Sequence, residues 1–162
     1  MACLEHDPEH LTCQVRREAL CRHLEAYGAH VESFLFGPAD YEAARVTKAS
    51  RRQKYAILLD RMLEKGRDWD AVYVPTDATA ALVHTLLRER GIAPERDIVT
   101  ISCNNEKEWL ETLHPQPATV DVQPYEQGRE AVRRLAWRLE NRLATPTTTL
   151  IAPKLVLGET AS

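Results

Sequence analysis

The chain reads as an α/β protein, a three-layer sandwich on a mostly parallel sheet. Three observations carry this. First, an apolar run, Ala71-Val72-Tyr73-Val74, ends in Pro75-Thr76-Asp77, and an amphipathic helical pattern follows it to Gly91. Second, another apolar run, Asp97 to Cys103, ends in Asn104-Asn105, and the intervening connection is long enough to hold a crossover helix, so the two strands lie parallel. Third, strand-like and helix-like stretches alternate along the rest of the chain, as in a sheet with helices layered on it.

Taken in order, Ala2-Cys3-Leu4 is apolar but too short for a core strand. It reads as the tail of a strand, followed by the polar turn Glu5 to His10. Thr12 suits a helix N-cap, and Val15, Leu20, Leu24 and Tyr27 suit a helix that stops at Gly28. His30 to Phe36 alternates and carries aromatics, which predicts a strand. Gly37-Pro38-Ala39-Asp40 predicts a turn. A helix follows between about Thr47 and Lys65, with Tyr55, Leu58, Leu59, Met62 and Leu63 on one face.

After Asn105 a short helical turn spans Glu106 to Leu113, and His114-Pro115-Gln116-Pro117 is irregular because proline restricts its own φ and its predecessor. Ala118 to Val122 predicts a strand. Pro124 suits the first position of a helix running to about Leu143 with a Val132, Leu135, Leu139, Leu143 stripe. Leu150 to Leu157 predicts a last strand, and Pro153 inside it argues for an edge or a bulge.

Composition excludes some functions. At 162 residues the expectation is one domain. The net charge is −3 with both signs interspersed, so no basic stripe exists to neutralise many phosphates, and this segment is not expected to bind nucleic acid by itself. No apolar run approaches a membrane span, and the start MACLEHDPEH is too polar for a signal peptide. Cys3, Cys13, Cys21 and Cys103 show no paired framework. The expectation is a cytoplasmic protein with reduced thiols and no membrane partner.

Four segments resemble one family in the order the family has them. Asp70 to Ala80 (DAVYVPTDATA) is similar to a strand ending in Asn-Asp before an Ala-rich helix. Gly91 to Ile98 (GIAPERDI) resembles a G-h-x-V-P-x-D-h link. Ala118 to Gly128 (ATVDVQPYEQG) resembles a T-T-V-x-Q-P-x-x-x-x-G crossing, and Leu150 to Glu159 a closing L-x-P-x-L-V-x-R-x-S. The family is that of the effector-binding domains of lactose-repressor-type bacterial transcription regulators, which share a periplasmic sugar-binding-protein fold of type I.

The resemblance covers the C-terminal subdomain only. It implies that residues 1–162 are one subdomain of a longer regulator, with DNA bound only through an N-terminal helix-turn-helix headpiece outside this sequence. It implies a homodimer, no cofactor, and a small-molecule effector, a carbohydrate, gripped between two subdomains. It also implies that the crossing segment 118–145 packs on an N-terminal subdomain. The helix stripe at Val132, Leu135 and Leu139 is then left without its partner in this chain, and an oligomer, a swapped element or a disordered helix is expected. A solute-binding transport protein of the same fold is the alternative within this architecture.

The candidate ligand-binding residues are Asp77, Arg16, Tyr41, Asn104 and Gln123. Asp77 directly follows an apolar strand, where ligands bind in open α/β sheets, and a carboxylate there can accept from vicinal hydroxyls; Asp also suits a helix N-cap. The resemblance makes Arg16 the effector arginine of an R-x-x-G-[FW] pattern, although Ala19-Leu20 replaces the Gly-aromatic pair and Arg17 competes. Its guanidinium offers a planar fork to hydroxyls or a carboxylate, or is simply solvated. By the same resemblance Tyr41 stacks on a sugar ring, with Phe36 as competitor and core packing as the plain reading. Asn104 and Asn105 stand where the family has an acidic pair, and amides there bond a polar ligand or cap the next turn. Gln123 contacts ligand or bonds backbone at a hinge.

Two other chemistries are weighed. Cys3, His6, His10 and Cys13 are zinc-type ligands at C-x2-H-x3-H-x2-C spacing, but this matches no common finger, and no metal is expected. Cys103 with His114 as base is the enzymatic reading. No third orienting group is evident and no G-x-S-x-G, Walker loop or H-E-x-x-H occurs, so no enzyme activity is expected.

Overall fold

The computed structural model describes residues 1–45, 48–66, 69–94 and 96–159. In chain order the elements are β1 (Ala2–Glu5), α1 (Leu11–Ala26), β2 (Glu32–Leu35), α2 (Pro38–Ala43), α3 (Arg51–Glu64), β3 (Ala71–Tyr73), α4 (Asp77–Glu89), β4 (Val99–Cys103), α5 (Lys107–Leu110), β5 (Ala118–Asp121), α6 (Pro124–Glu140) and β6 (Lys154–Val156). The described strands form a sheet in the order β2-β1-β3-β4-β5-β6. β1 to β5 are parallel, and β6 pairs antiparallel with β5 at the edge. Because β1 to β5 share one direction, their carboxyl ends meet along one edge, the place where open α/β sheets in general take ligands.

α3 and α4 cover one face of the sheet. Their apolar residues recur at helical spacing, so Tyr55, Leu58, Leu59 and Met62 of α3 and Ala80, Val83, Leu86 and Leu87 of α4 are buried against Ala2, Leu4, Val72 and Val74. Ser50 caps α3: its Oγ accepts from the Gln53 N–H at 3.3 Å while Gln53 Oε1 accepts from the Ser50 N–H at 2.8 Å. α3 and α4 both stop at glycines with positive φ, Gly66 at 61° and Gly91 at 74°, a conformation that Cβ-bearing residues adopt only with strain.

The opposite face is thinner. Cys3, Tyr73 and Cys103 form a small cluster there with Leu20 of α1, and α1 itself has no buried residue. α6 likewise buries nothing: Val132, Leu135 and Leu139 are 70%, 61% and 61% exposed.

Several sequence expectations are corrected. Ala2–Glu5 is not too short for the core: it lies between β2 and β3 and is buried throughout, because a central parallel strand is covered on both faces and small residues fit there. His10, not Thr12, is the N-cap position of α1. Gly37 to Asp40 is a helix start, not a turn; Pro38 occupies the first turn and Asp40 Oδ2 accepts from the Gly37 N–H at 2.7 Å. α3 begins at Arg51, and Thr47, the expected start, lies outside the described residues. α6 ends at Glu140, and the last strand is confined to Lys154–Val156, just past Pro153.

Candidate functional site

The carboxyl edge is organised around Asp77. This side chain is fully buried, and three donors from separate segments converge on it. Oδ1 accepts from Ser102 Oγ at 2.5 Å and Thr119 Oγ1 at 2.7 Å, and Oδ2 accepts from the Glu106 N–H at 2.7 Å. A buried carboxylate is costly unless it is hydrogen-bonded in this way. Asp77 thereby ties β4, β5 and the loop after β4 to the start of α4. The N-cap of α4 is Thr76, whose Oγ1 accepts from the Thr79 N–H at 3.2 Å.

The loop that Asp77 holds carries Asn104 and Asn105, with φ of 108° and 58°. Gln123, after β5, has φ of 54°. Non-glycine residues in this region are uncommon and collect at functional sites. Their polar atoms interlock: Asn105 Nδ2 donates to Asp121 Oδ2 at 3.2 Å, and the Gln123 N–H donates to Asp121 Oδ1 at 2.7 Å. The Gln123 side-chain amide donates to the Ala152 carbonyl, in the segment leading to β6. Asn104 Nδ2 donates to Glu106 Oε1 at 3.3 Å.

Arg16 reaches this loop from α1. Its Nη1 donates to the Pro75 carbonyl at 3.1 Å, and both terminal nitrogens lie 3.5 Å from Asn104 Oδ1. The adjacent Arg17 turns inward instead and pairs with buried Glu5 at the end of β1. Burial raises the Glu5 carboxyl above the ordinary 4.5, and Arg17 opposes that rise. Tyr41 stands apart, beyond β2. Its ring meets Phe36 edge-on at 5.0 Å, and Lys54 Nζ lies 5.1 Å from the Phe36 ring centre and 5.6 Å from that of Tyr41.

Arg16, Asp77, Asn104 and Gln123 are thus linked at one edge through Asn105 and Asp121, and Tyr41 is not part of that linkage. The connecting residues Ser102, Thr119 and Asp121 were not legible as a group, since only strand order brings them together. Polar residues interrupting apolar strands were the available signal.

The two other readings find little geometric support. His6 Nδ1 lies 3.1 Å from Tyr55 Oη on the α3 side of the sheet, whereas Cys3 points into the cluster on the α1 side. No group of His, Cys, Asp or Glu able to hold a metal occurs among the described residues. Cys103 is buried with Tyr73 Oη at 3.5 Å, and burial pushes its thiol up. His114 lies toward the far end of α4, where its carbonyl accepts from Arg88 at 2.5 Å. No helix among the described residues is long and apolar enough to cross a membrane.

Comparison with known proteins identifies the family. Residues 1–161 match the family described as a periplasmic binding protein-like domain. No curated protein matches the chain. Among solved structures, a LacI-family transcriptional regulator from Silicibacter pomeroyi is 27% identical with a TM-score of 0.74, over 99% of this chain and 46% of that one. A dimeric Lac repressor with an 11-residue C-terminal deletion is 19% identical, TM-score 0.75, over 99% and 54%. A complex of the transcriptional regulator CelR with cellobiose is 20% identical, TM-score 0.72, over 98% and 46%. The chain spans about half the length of these proteins. With the match running over nearly every residue, this chain belongs to the periplasmic binding protein-like domain family, and the solved structures it resembles include LacI-family transcriptional regulators.

Proposed function

We propose that this chain is the C-terminal part of the effector-binding domain of a LacI-type regulator, and that it senses a small polar effector, a carbohydrate, without transforming it. The observation that carries this is the carboxyl-edge network. One buried carboxylate holds a loop of left-handed asparagines against an arginine, and all of them face the edge where open α/β sheets take ligands. The CelR–cellobiose neighbour supports a sugar as the ligand class.

In this reading Arg16, Asn104 and Gln123 contact the effector, and Tyr41 flanks it. Asp77 acts through the groups it holds, since its oxygens are already engaged. A second, N-terminal subdomain closes the cleft and packs on α6. The regulator is a cytoplasmic homodimer that meets DNA through an upstream headpiece. The effector shifts the hinge only by binding one subdomain arrangement better than the other.

Calorimetric titration of the protein encoded by the complete reading frame, against a panel of sugars, tests this. One sugar is expected to bind, and Arg16→Ala to weaken it at least about tenfold, or about 1.4 kcal/mol. Asp77→Ala is expected to weaken it too, with a lower melting temperature, because three donors lose their acceptor. A panel with no binder, or affinity indifferent to Arg16, refutes the reading.

A further inference from the structure

The carboxyl edge is electrically divided. Over β4 and β5 it presents amides and acids: Asn104, Asn105, Glu106 and Asp121, joined by hydrogen bonds. At the ends of β1 and β2 both signs occur, with Asp7 beside His6, Glu5 paired with Arg17 and Asp40 paired with Arg61, and α3 adds further cations. α3 carries four, Arg51, Arg52, Lys54 and Arg61. Arg52 pairs with Glu89 at 2.6 Å and Arg61 with Asp40 at 3.0 Å. Arg51 and Lys54, in the first turn of α3, have no carboxylate within ion-pair distance among the described residues. They sit at the carboxyl edge because α3 runs back across the sheet from that edge.

Lys54 is held in place. Its half-buried stem leads to an ammonium resting on the Phe36 and Tyr41 rings, at 5.1 and 5.6 Å. Such stacking orients a cation but leaves its N–H donors open. His6, half-buried beside Tyr55, registers the local field: burial lowers its pKa, Lys54 and Arg51 lower it further, and Asp7 is the one opposing charge.

We propose that the effector carries an anionic group, a carboxylate or a phosphate, which Lys54 and Arg51 hold over the ends of β1 and β2 while its hydroxyls lie toward Arg16 and Asn104. This rests on the effector-binding reading above and names the ligand's chemical class. The distance is suitable: β1 and β4 are two strand spacings apart, about 10 Å, which a charged mono- or disaccharide spans. Lys54 supplies a point charge and Arg51 a fork, and both suit an oxyanion.

The test titrates the protein encoded by the complete reading frame with matched sets: glucose, galactose and cellobiose, their 6-phosphates, and their uronic or aldonic acids. One charged member is expected to bind at least about tenfold tighter than its neutral parent, with the advantage shrinking in high salt. The phosphate and acid arms tell which oxyanion is read. Lys54→Gln and Arg51→Gln are each expected to weaken the charged member several-fold more than its neutral parent, and Lys54→Arg to keep the advantage. Circular dichroism checks that the variants fold. Equal binding of neutral and charged members, or a charge preference that survives both Gln substitutions, overturns this inference and leaves the effector reading standing. If no member of any set binds, both fall.

Discussion

The two faces of the sheet differ in kind. Under α3 and α4 lies a continuous apolar core in which Leu58, Leu59, Met62, Val83, Leu86 and Leu87 are closed off from water. Under α1 the cluster is small, thiol-rich and polar at its rim, with Glu5 and Arg17 forming a buried ion pair, and α6 contributes nothing buried. Cys3 in that cluster is pushed up to about 12, chiefly by burial, so it behaves as a small apolar side chain. Burying a leucine contributes about 1.5–3 kcal/mol, whereas an ion pair repays its desolvation only in part. The first face therefore holds the fold, and the second contributes little to it.

The sharpest way to break this comparison is a cavity on the thick face. Leu59 is fully buried, and Leu59→Ala is expected to lower stability by about 2–5 kcal/mol, read as a shift in the urea midpoint at constant slope. A loss under about 1 kcal/mol would mean that the α3–α4 face is not what holds the sheet.

How much of this was legible beforehand depends on whether a feature is local. The α3 stripe from Tyr55 to Met62 repeats at helical period within one window, so its buried face could be read directly. β1 could not: Ala2, Cys3 and Leu4 reveal a core strand only when β2 and β3 flank them. The site divides the same way. Asp77 stood out because it follows a strand, and the positions of Asn104 and Gln123 at strand ends were equally visible. That Asp77 spends its oxygens on Ser102, Thr119 and Glu106 follows from β3, β4 and β5 lying side by side, which no short window contains. Lys54 was hidden for a related reason. On a helical wheel it is one more charge, and only the fold sets it on Phe36 and Tyr41.

A smaller effect belongs to the rim of the thick face. His6 has its pKa lowered from 6.5, first by burial and then by Lys54. The unfolded chain therefore takes up a proton near pH 6.5 that the folded one resists. The stability tied to neutral His6 is complete above that pH and drains away as pH falls through the lower folded value. Urea midpoints between pH 7.5 and 5 are expected to fall more steeply for the wild-type chain than for His6→Asn. Parallel curves would show that His6 is not held neutral by its surroundings.

The smallest effect on this chain is expected on α6, and its smallness is the informative part. Leu135 lies on an apolar stripe yet is 61% exposed. An exposed leucine on a helix that touches no core stabilises little, so Leu135→Ser is expected to change the unfolding free energy of this chain by no more than about 0.5 kcal/mol. The same substitution in the protein encoded by the complete reading frame separates two accounts of the stripe. If α6 packs on a companion subdomain, the leucine is buried there, and its loss costs about 2 kcal/mol or more. If the stripe instead joins two copies of this chain, the cost appears as a weaker dimer by sedimentation. Equal and negligible effects in both settings would leave the second face without an assembly role, and the contrast between the two faces would reduce to one of stability alone.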